Sequence, residues 1–500
     1  MNNKTNFHYG EGGRLKKAAA VELIESAYRH DCKDGAILLP YFSKVQMAHL
    51  CVLYRAGLIP SSDAKTLSSA LISLDKLSIH DFNIDPRHGD IYNNYDVLLR
   101  DIVGESASWL HAARPRREAV NMAFLLAVRD EILTLIDALI SLVKTEINFV
   151  RRHGNTLMAD YTYLRHAQPT TLGHYTMTFV MVMTRDLDRL MEFYTRLDYS
   201  WGESGSVNGT RHNLDRERFA KLLGFSKVAQ HTRDAMWQSD LPLECISKLT
   251  SVLCNLSRQA EELHIWSTSE FGYIELPDEY CRASVIMPQK KNPYPLTYIR
   301  GFTDYISPKM AAYASHGRIA SGHPDSRIFI YGDLVRSLKK STRAIELFRA
   351  VMDTLKVNIM KFKYTLDNSD AFSTDLADIL VLTNKINYRQ AHDIVGRLNN
   401  FLFQENLIMR NTRVDHLEPI FLEIVGKRME SIENNDLVDI FSAEKIIDTR
   451  KGIGGASKKS LRTLLQDVED AIKIQSEKVI ALRDHLNISY DELIKETKKI

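Results

Sequence analysis

Residues 119–150 read AVNMAFLLAVRDEILTLIDALISLVKTEINFV, a stretch with no glycine and no proline. Apolar residues recur three and four apart along it, the period of one helix face. A helix over this whole span is more than twice the usual length. Its apolar face needs partners along its whole run, and antiparallel or multi-chain bundling supplies them. Residues 171–200 repeat the pattern, with Met177, Val180, Met183, Leu187 and Leu190 on one face. Residues 243–271 (LECISKLTSVLCNLSRQAEELHIWSTSEF) and 333–361 repeat it again. Strand alternation is nearly absent, so the pattern predicts an all-α fold.

Composition narrows the function classes. The 500 residues are 44% hydrophobic and 26% charged, ordinary for a globular chain of two to four domains. The 65 basic residues nearly balance the 63 acidic ones, for a net charge of +2, which argues against a sequence-independent nucleic-acid binder. Five cysteines (Cys32, Cys51, Cys245, Cys254, Cys281) lie far apart with no CxxC pair. That pattern argues against a disulfide framework or structural zinc and fits a reducing compartment. The N-terminal MNNKTNFHYGEGGRLKK lacks the apolar core of a signal peptide, and no run of about 18 apolar residues reads as a membrane span. The 17 histidines include no HExxH spacing, so no catalytic metal and no cofactor are expected. A cytoplasmic enzyme or scaffold without nucleic-acid or membrane partners is the expectation.

The 13 prolines and 23 glycines cluster between the long periodic segments. Boundaries near 118 and 362 divide the chain into an N-terminal, mostly helical part (1–118), a central long-helix bundle (119–361) and a C-terminal part with shorter helices (362–500). The last part carries a glycine cluster, KGIGGAS, at 451–457, and its charged end, DELIKETKKI, reads as a solvated helix.

Unusual residues collect in the loops. SVIMPQKKNPYP (284–295) cannot be a helix across Pro288, Pro293 and Pro295, nor a central strand. It places Val285, Ile286 and Met287, which favour burial, beside Lys290, Lys291 and Asn292. If the loop folds back, Ser284 stands near Lys290 and Asn292, where a lysine or backbone N–H groups can stabilise its alkoxide. A solvated basic turn is the alternative reading. In ESASWLHAARPRRE (105–118), His111, Arg114, Arg116 and Arg117 crowd the start of the first long helix. Together with the positive helix end they make an anion site, or else a solvated patch. In DYTYLRHAQPTTLGHY (160–175), Thr162, Tyr163, His166, Gln168, Thr170 and Thr171 form a polar set before a long apolar helix. Helix capping accounts for the threonines but not for Gln168 or Tyr163. The Gly-rich stretch 201–217 lacks the pattern of a phosphate loop.

Taken together these loops resemble the aspartase/fumarase superfamily. Its GSxxMPxKxNP stretch is matched by residues 283–293, with Ala283 in place of the glycine. Within the superfamily the chain is most similar to argininosuccinate lyase. TYLRHAQPTTLGHY (162–175) resembles that family's THLQxAQPxTxGH, and STDLADILV (373–381), YRQAHDIVG (388–396) and GGAS (454–457) match its C-terminal part. The resemblance implies a three-domain fold and a homotetramer with apolar helix faces buried between chains and active sites shared among them. It implies a carbon–nitrogen lyase that eliminates fumarate from an N-substituted aspartate, with a small-molecule dicarboxylate as its partner. Ser284 is then the base, and Lys290 and Asn292 hold the developing dianion. Arg116 and Thr162 grip carboxylates, Gln168 orients the substrate, and His111 and Met287 belong to the same binding set. The family's HTGRSRND is here His111 to Glu118, with Pro115 for a serine and Arg117 for an asparagine. Tyr163 stands where the family has a histidine. These departures fit a rebuilt leaving-amine pocket, with Tyr163 as the acid and Arg117, together with Arg318 or Arg327, contacting an acidic leaving group. Two alternatives are argininosuccinate lyase itself and a non-catalytic relative.

Overall fold

The computed structural model describes residues 17–323, 325–430 and 432–500. Most of the N-terminal stretch quoted above therefore lies outside the described residues. The elements that position the site are α1 (Leu39–Arg55), α2 (Ser61–Leu74), α3 (Ile91–Val103) and α4 (Arg116–His153). Next come the hairpin strands β1 (Leu157–Thr162) and β2 (Arg165–Thr171), then α5 (Leu172–Leu197) and α6 (Asp240–Trp266). A second hairpin, β3 (Arg282–Ala283) with β4 (Lys291–Asn292), precedes α7 (Tyr294–Ile306), α8 (Tyr331–Thr354) and, at the end, α9 (Lys458–Lys498).

Helix α4 is the axis. Its 38 residues rise about 57 Å at the usual pitch. It starts just after Pro115, carries Glu118 in its first turn and Arg151, Arg152 and His153 in its last, both favourable to the helix dipole. The expectation that its apolar face waits for other chains is corrected: α1, α5, α8 and α9 of the same chain already pack on it. Leu125, Val128, Ile132, Leu135, Ile136 and Leu142 are buried in that packing. Helix α6 joins α5, α7 and α8 in the bundle.

Two sequence expectations about helices change. The segment 333–361 is broken after Thr354, because Lys356–Val357 pairs as a strand with Ile274–Glu275 before a new helix starts at Ile359. Pairing and the stacking of Phe362 on Tyr273, 4.1 Å between ring centres, override helix propensity there. In the tail, α9 is 41 residues, the longest helix among the described residues, where shorter helices were expected. Val468, Ile472, Val479 and Leu493 form its narrow buried stripe, and the remaining surface is charged, which hid the period. Of the residues grouped from sequence as 362–500, those from Leu366 to Ile446 form a separate core, while α9 packs on the bundle. The helical stretch Val21–Arg55 has the length and apolarity of a membrane span, yet 72% of its most apolar window is buried inside the protein.

The loop expected before the helix at 171–200 is the β1–β2 hairpin. Its turn is Tyr163-Leu164, both with positive φ (54° and 56°), between the paired Thr162 and Arg165. That is the geometry of a two-residue type I′ turn, usually made by Asn-Gly, so no turn signal marked it. Thr171 caps α5, its Oγ1 accepting from the His174 N–H at 3.1 Å. The hairpin is anchored where α4 ends and α5 begins: a Cβ on Gly173 would stand 2.7 Å from the Gly154 Cα. Gly173→Ala must therefore push two backbones apart. It is expected to cost about 1–3 kcal/mol, read as a lower urea midpoint with unchanged slope.

Candidate active site

The chemistry-bearing residues form three groups. The first is the β3–β4 hairpin, in which Arg282 pairs with Asn292 and Ala283 with Lys291. Continuing that register places Ser284 across from Lys290, so the loop does fold back. The Ser284 Oγ accepts the Met287 N–H at 3.2 Å, and the Lys290 N–H closes a turn on the Met287 carbonyl at 3.1 Å. A backbone donor aimed at a serine oxygen favours its ionised form. The Asn292 amide donates to the Arg282 carbonyl at 2.8 Å, so one of its two donors holds the hairpin closed.

The two lysines differ in their neighbours. Lys291 Nζ lies 2.6 Å from both Glu275 and Asp278, whose carboxylates hold it well above the usual lysine value. Lys290 makes no ion pair among the described residues and is exposed. Lys291 thus fixes the hairpin to the strand at 274–275, and the Lys290 ammonium has no such tie among the described residues. The apolar tip was expected to be buried; in the single chain Val285 and Ile286 are exposed, at 103% and 83%, and Met287 is partly so.

The second group is the β1–β2 hairpin. Thr162, Tyr163 and Gln168 are exposed, Tyr163 completely, at the tip or along one strand. The tip tyrosine sits on two consecutive non-glycine residues in the left-handed region, a strained arrangement of the kind that collects at functional sites. The third group is the first turn of α4. Arg116 Nη1 donates to Asn93 at 3.2 Å and its Nε lies 3.4 Å from Asp90, while His111 Nε2 is 3.0 Å from Asp96.

The expected three-guanidinium anion site is corrected. Arg114 turns inward and is buried, donating to Gln46 and, at 3.5 Å, to the Leu110 carbonyl. Arg117 is half-buried, 5.9 Å over the Tyr331 ring. Only Arg116 faces outward, because successive helical positions diverge by about 100°. Arg327 is also buried, against Trp201 and the Gln238 carbonyl, while Arg318 is exposed. Arg327 thus lies in the protein's interior, while Arg117 lines a small cavity with Asp31, Asp34, Asp90 and Tyr331. Sequence reading missed Asp90 and Asn93, which hold Arg116; Asp90 also caps α3, and a capping Asp carries no functional signal.

The groups lie at two ends. The Asn121 amide donates to the Met236 carbonyl at 3.0 Å, fixing the start of α6 beside the start of α4. At the far end the hydroxyls of Tyr161 and Tyr273 are hydrogen-bonded, and Lys291 ties its hairpin to Glu275 nearby. Both hairpins therefore share the end opposite Arg116. Two of the C-terminal motifs make structural contacts: Asp375 pairs with Arg450 at 2.5 Å, the Gly454 carbonyl lies 3.0 Å from His174 Nε2, and Ser457 caps α9.

Comparison with known proteins gives the family. The lyase family profile matches residues 43–306, and the argininosuccinate lyase C-terminal profile matches 370–448. The chain is 30% identical to argininosuccinate lyase of Methanosarcina mazei, over 98% of this chain and 99% of that one. It is 31% identical to argininosuccinate lyase of Clostridium perfringens, over 87% and 92%. Among solved structures it is similar in fold to an EDDS lyase variant with bound fumarate (24% identity, TM-score 0.87, 100% and 98% covered). Class II fumarase of Schistosoma mansoni shares the fold at 14% identity, with a TM-score of 0.69 over 86% and 95%. By profile, by length of match and by fold, the chain belongs to the argininosuccinate lyase-like branch of the aspartase/fumarase superfamily.

Proposed function

We propose that this chain, a carbon–nitrogen lyase releasing fumarate, acts on an N-substituted aspartate whose leaving amine is not arginine. The β3–β4 hairpin carries the fumarate-releasing half. Removing a proton beside a carboxylate builds a dianion, which needs preorganised positive donors. Ser284, with the Met287 N–H on its oxygen, is the base; the unpaired Lys290 and the second Asn292 donor meet the developing charge. Thr162, Gln168, Met287, His111 and Arg116 position the substrate. Tyr163 donates its phenolic hydrogen to the departing nitrogen. A tyrosine here in place of a histidine supports a changed leaving group. Arg117 lies over the Tyr331 ring and in a cavity of its own, so the proposal rests on Tyr163. Argininosuccinate lyase itself is the second reading, favoured by the names of the relatives matched over nearly their whole length.

The separation of Arg116 from the hairpins supports an oligomer with sites shared between chains, a homotetramer in our reading. Exposed Tyr294, Tyr298 and Tyr305 stand four and seven apart on one face of α7, as an interface stripe does. A cytoplasmic setting is supported by five cysteines that are all free.

Three measurements test these readings. Incubating the protein with fumarate and a panel of amino acids and diamines, arginine included, is expected to give a mass-detected adduct with a compound other than arginine. An arginine adduct alone establishes the second reading, and no adduct with any amine sinks the fumarate chemistry. Chains bearing Arg116→Ala and Ser284→Ala, each inactive alone, are expected to recover about a quarter of activity when co-assembled at equal amounts. No recovery means that one chain supplies both residues. Lys290→Met should lower kcat by about 10²–10³, and Tyr163→Phe should lower kcat with little change in fumarate affinity, while Lys291→Met keeps the chemistry and loosens the hairpin. Equal losses for both lysines would remove the distinction drawn from their ion pairs.

A further inference from the structure

Arg116 is exposed, but the residues two before and two after it, Arg114 and Glu118, are buried to 5% and 0% exposure. Each is held by a different part of the chain. Arg114 donates to Gln46 of α1. Glu118 Oε1 accepts the backbone N–H of Glu203 at 2.5 Å. The Glu203 side chain then turns to α1, where its Oε1 lies 2.7 Å from His49 Nδ1. Gln46 and His49 are one turn apart on the same helix face. The contacts therefore close into a ring, from α1 through Arg114, Arg116 and Glu118 to Glu203 and back to α1.

The ring is costly in two ways that packing alone does not justify. Glu203 has φ of +55°, a left-handed conformation that favours glycine, and it is buried there. His49 Nε2, Arg114 Nη1, Glu118 Oε2 and Glu203 Oε2 are buried without a hydrogen-bond partner. Apolar side chains of the same size would stabilise the fold at least as well. Burial, then the Arg114 charge, holds His49 below its ordinary value, so its neutral ring donates from Nδ1 to the Glu203 carboxylate. Burial, then the Glu203 carboxylate, pushes Glu118 well above the usual carboxylate range. From the other side Arg216 braces the loop, donating to the Gly202 carbonyl at 3.1 Å and to Ser204 Oγ at 3.0 Å.

We propose that this ring is a clamp for Arg116, in which Glu203 and His49 are positioning residues that fix the carboxylate-binding guanidinium from outside the site. A first turn held from two sides cannot rotate, and so the direction of the exposed arginine between the anchors is set. The inference rests on Arg116 as a substrate-binding residue, and its test separates the two.

The probe is fumarate, and its dissociation constant is measured by titration calorimetry on the intact protein. Arg116→Ala is expected to weaken binding by about a hundred-fold, the loss of a charge-assisted contact. Glu203→Gly suits the positive φ and deletes the carboxylate; it is expected to weaken binding by about ten-fold. Glu203→Gln keeps an acceptor for His49 and should restore most of the affinity. In the Arg116→Ala background Glu203→Gly should change the constant by less than about two-fold, because its effect runs through that arginine. If Glu203→Gly fails to fold, His49→Phe takes its place in the same cycle, with His49→Asn as the conservative partner. Full additivity of the two changes, or unchanged affinity in Glu203→Gly, overturns the clamp and leaves Arg116 in its role. Unchanged affinity in Arg116→Ala instead removes Arg116 from binding, and the clamp with it.

Discussion

The length of α4 sets the terms for everything else. Its first residue is Arg116 and the β1–β2 hairpin follows its last, so about 57 Å of helix separates them. No side-chain or loop movement spans that distance within a chain. Helices α5 and α6 run back and forth along the same axis and place the β3–β4 hairpin beside β1–β2. The two hairpins are thereby gathered at one end, and the outward arginine is left at the other. Antiparallel association of such bundles is the arrangement that brings unlike ends together, and the proposed shared site follows from helix length before any contact is considered.

Much of this was legible in the sequence because long apolar periodicity with no glycine or proline has one stable outcome. The four long segments became helices within a few residues of their expected ends, apart from 333–361, where strand pairing at Lys356–Val357 cut the helix short. Helix α9 was missed because only a narrow stripe of it is buried, so its polar surface dominates the pattern. What periodicity did not tell was which chain would cover each face. Helix α4 is enclosed by its own chain, and the tyrosine row on α7 is one apolar surface left exposed among the described residues.

The site was legible residue by residue but not in its geometry. Ser284, Lys290 and Asn292 stand together because a hairpin pairs their flanks, and two strands of two residues each leave no alternation to read. The left-handed residues are the clearest gap between sequence and structure. Tyr163, Leu164 and Glu203 occupy positions where Asn or Gly would have announced a turn. Their side chains are retained against the conformational cost, at a turn tip facing solvent and in a buried ring. In both cases the local sequence and the backbone disagree, and such disagreement collects where a side chain has a task beyond folding.

Lys290 and Lys291 show how that task is assigned. Residue type does not distinguish them; the acids at 275 and 278 do, by engaging one and leaving the other. A free ammonium costs nothing while the loop stands in water, but covering it demands an opposite charge. The tip pulls the other way. Exposed Val285 and Ile286 each favour burial by about 1.5–3 kcal/mol once a surface is offered. Covering the tip therefore supplies a drive that does not discriminate among ligands, and the lysine that goes with it supplies the discrimination. A neutral ligand leaves the ammonium desolvated and unpaired, whereas a dicarboxylate satisfies it. With the roles proposed above, selectivity for the fumarate half belongs to the loop as a unit, while the amine half falls to the strained tyrosine turn on a different hairpin, free to vary without disturbing the first.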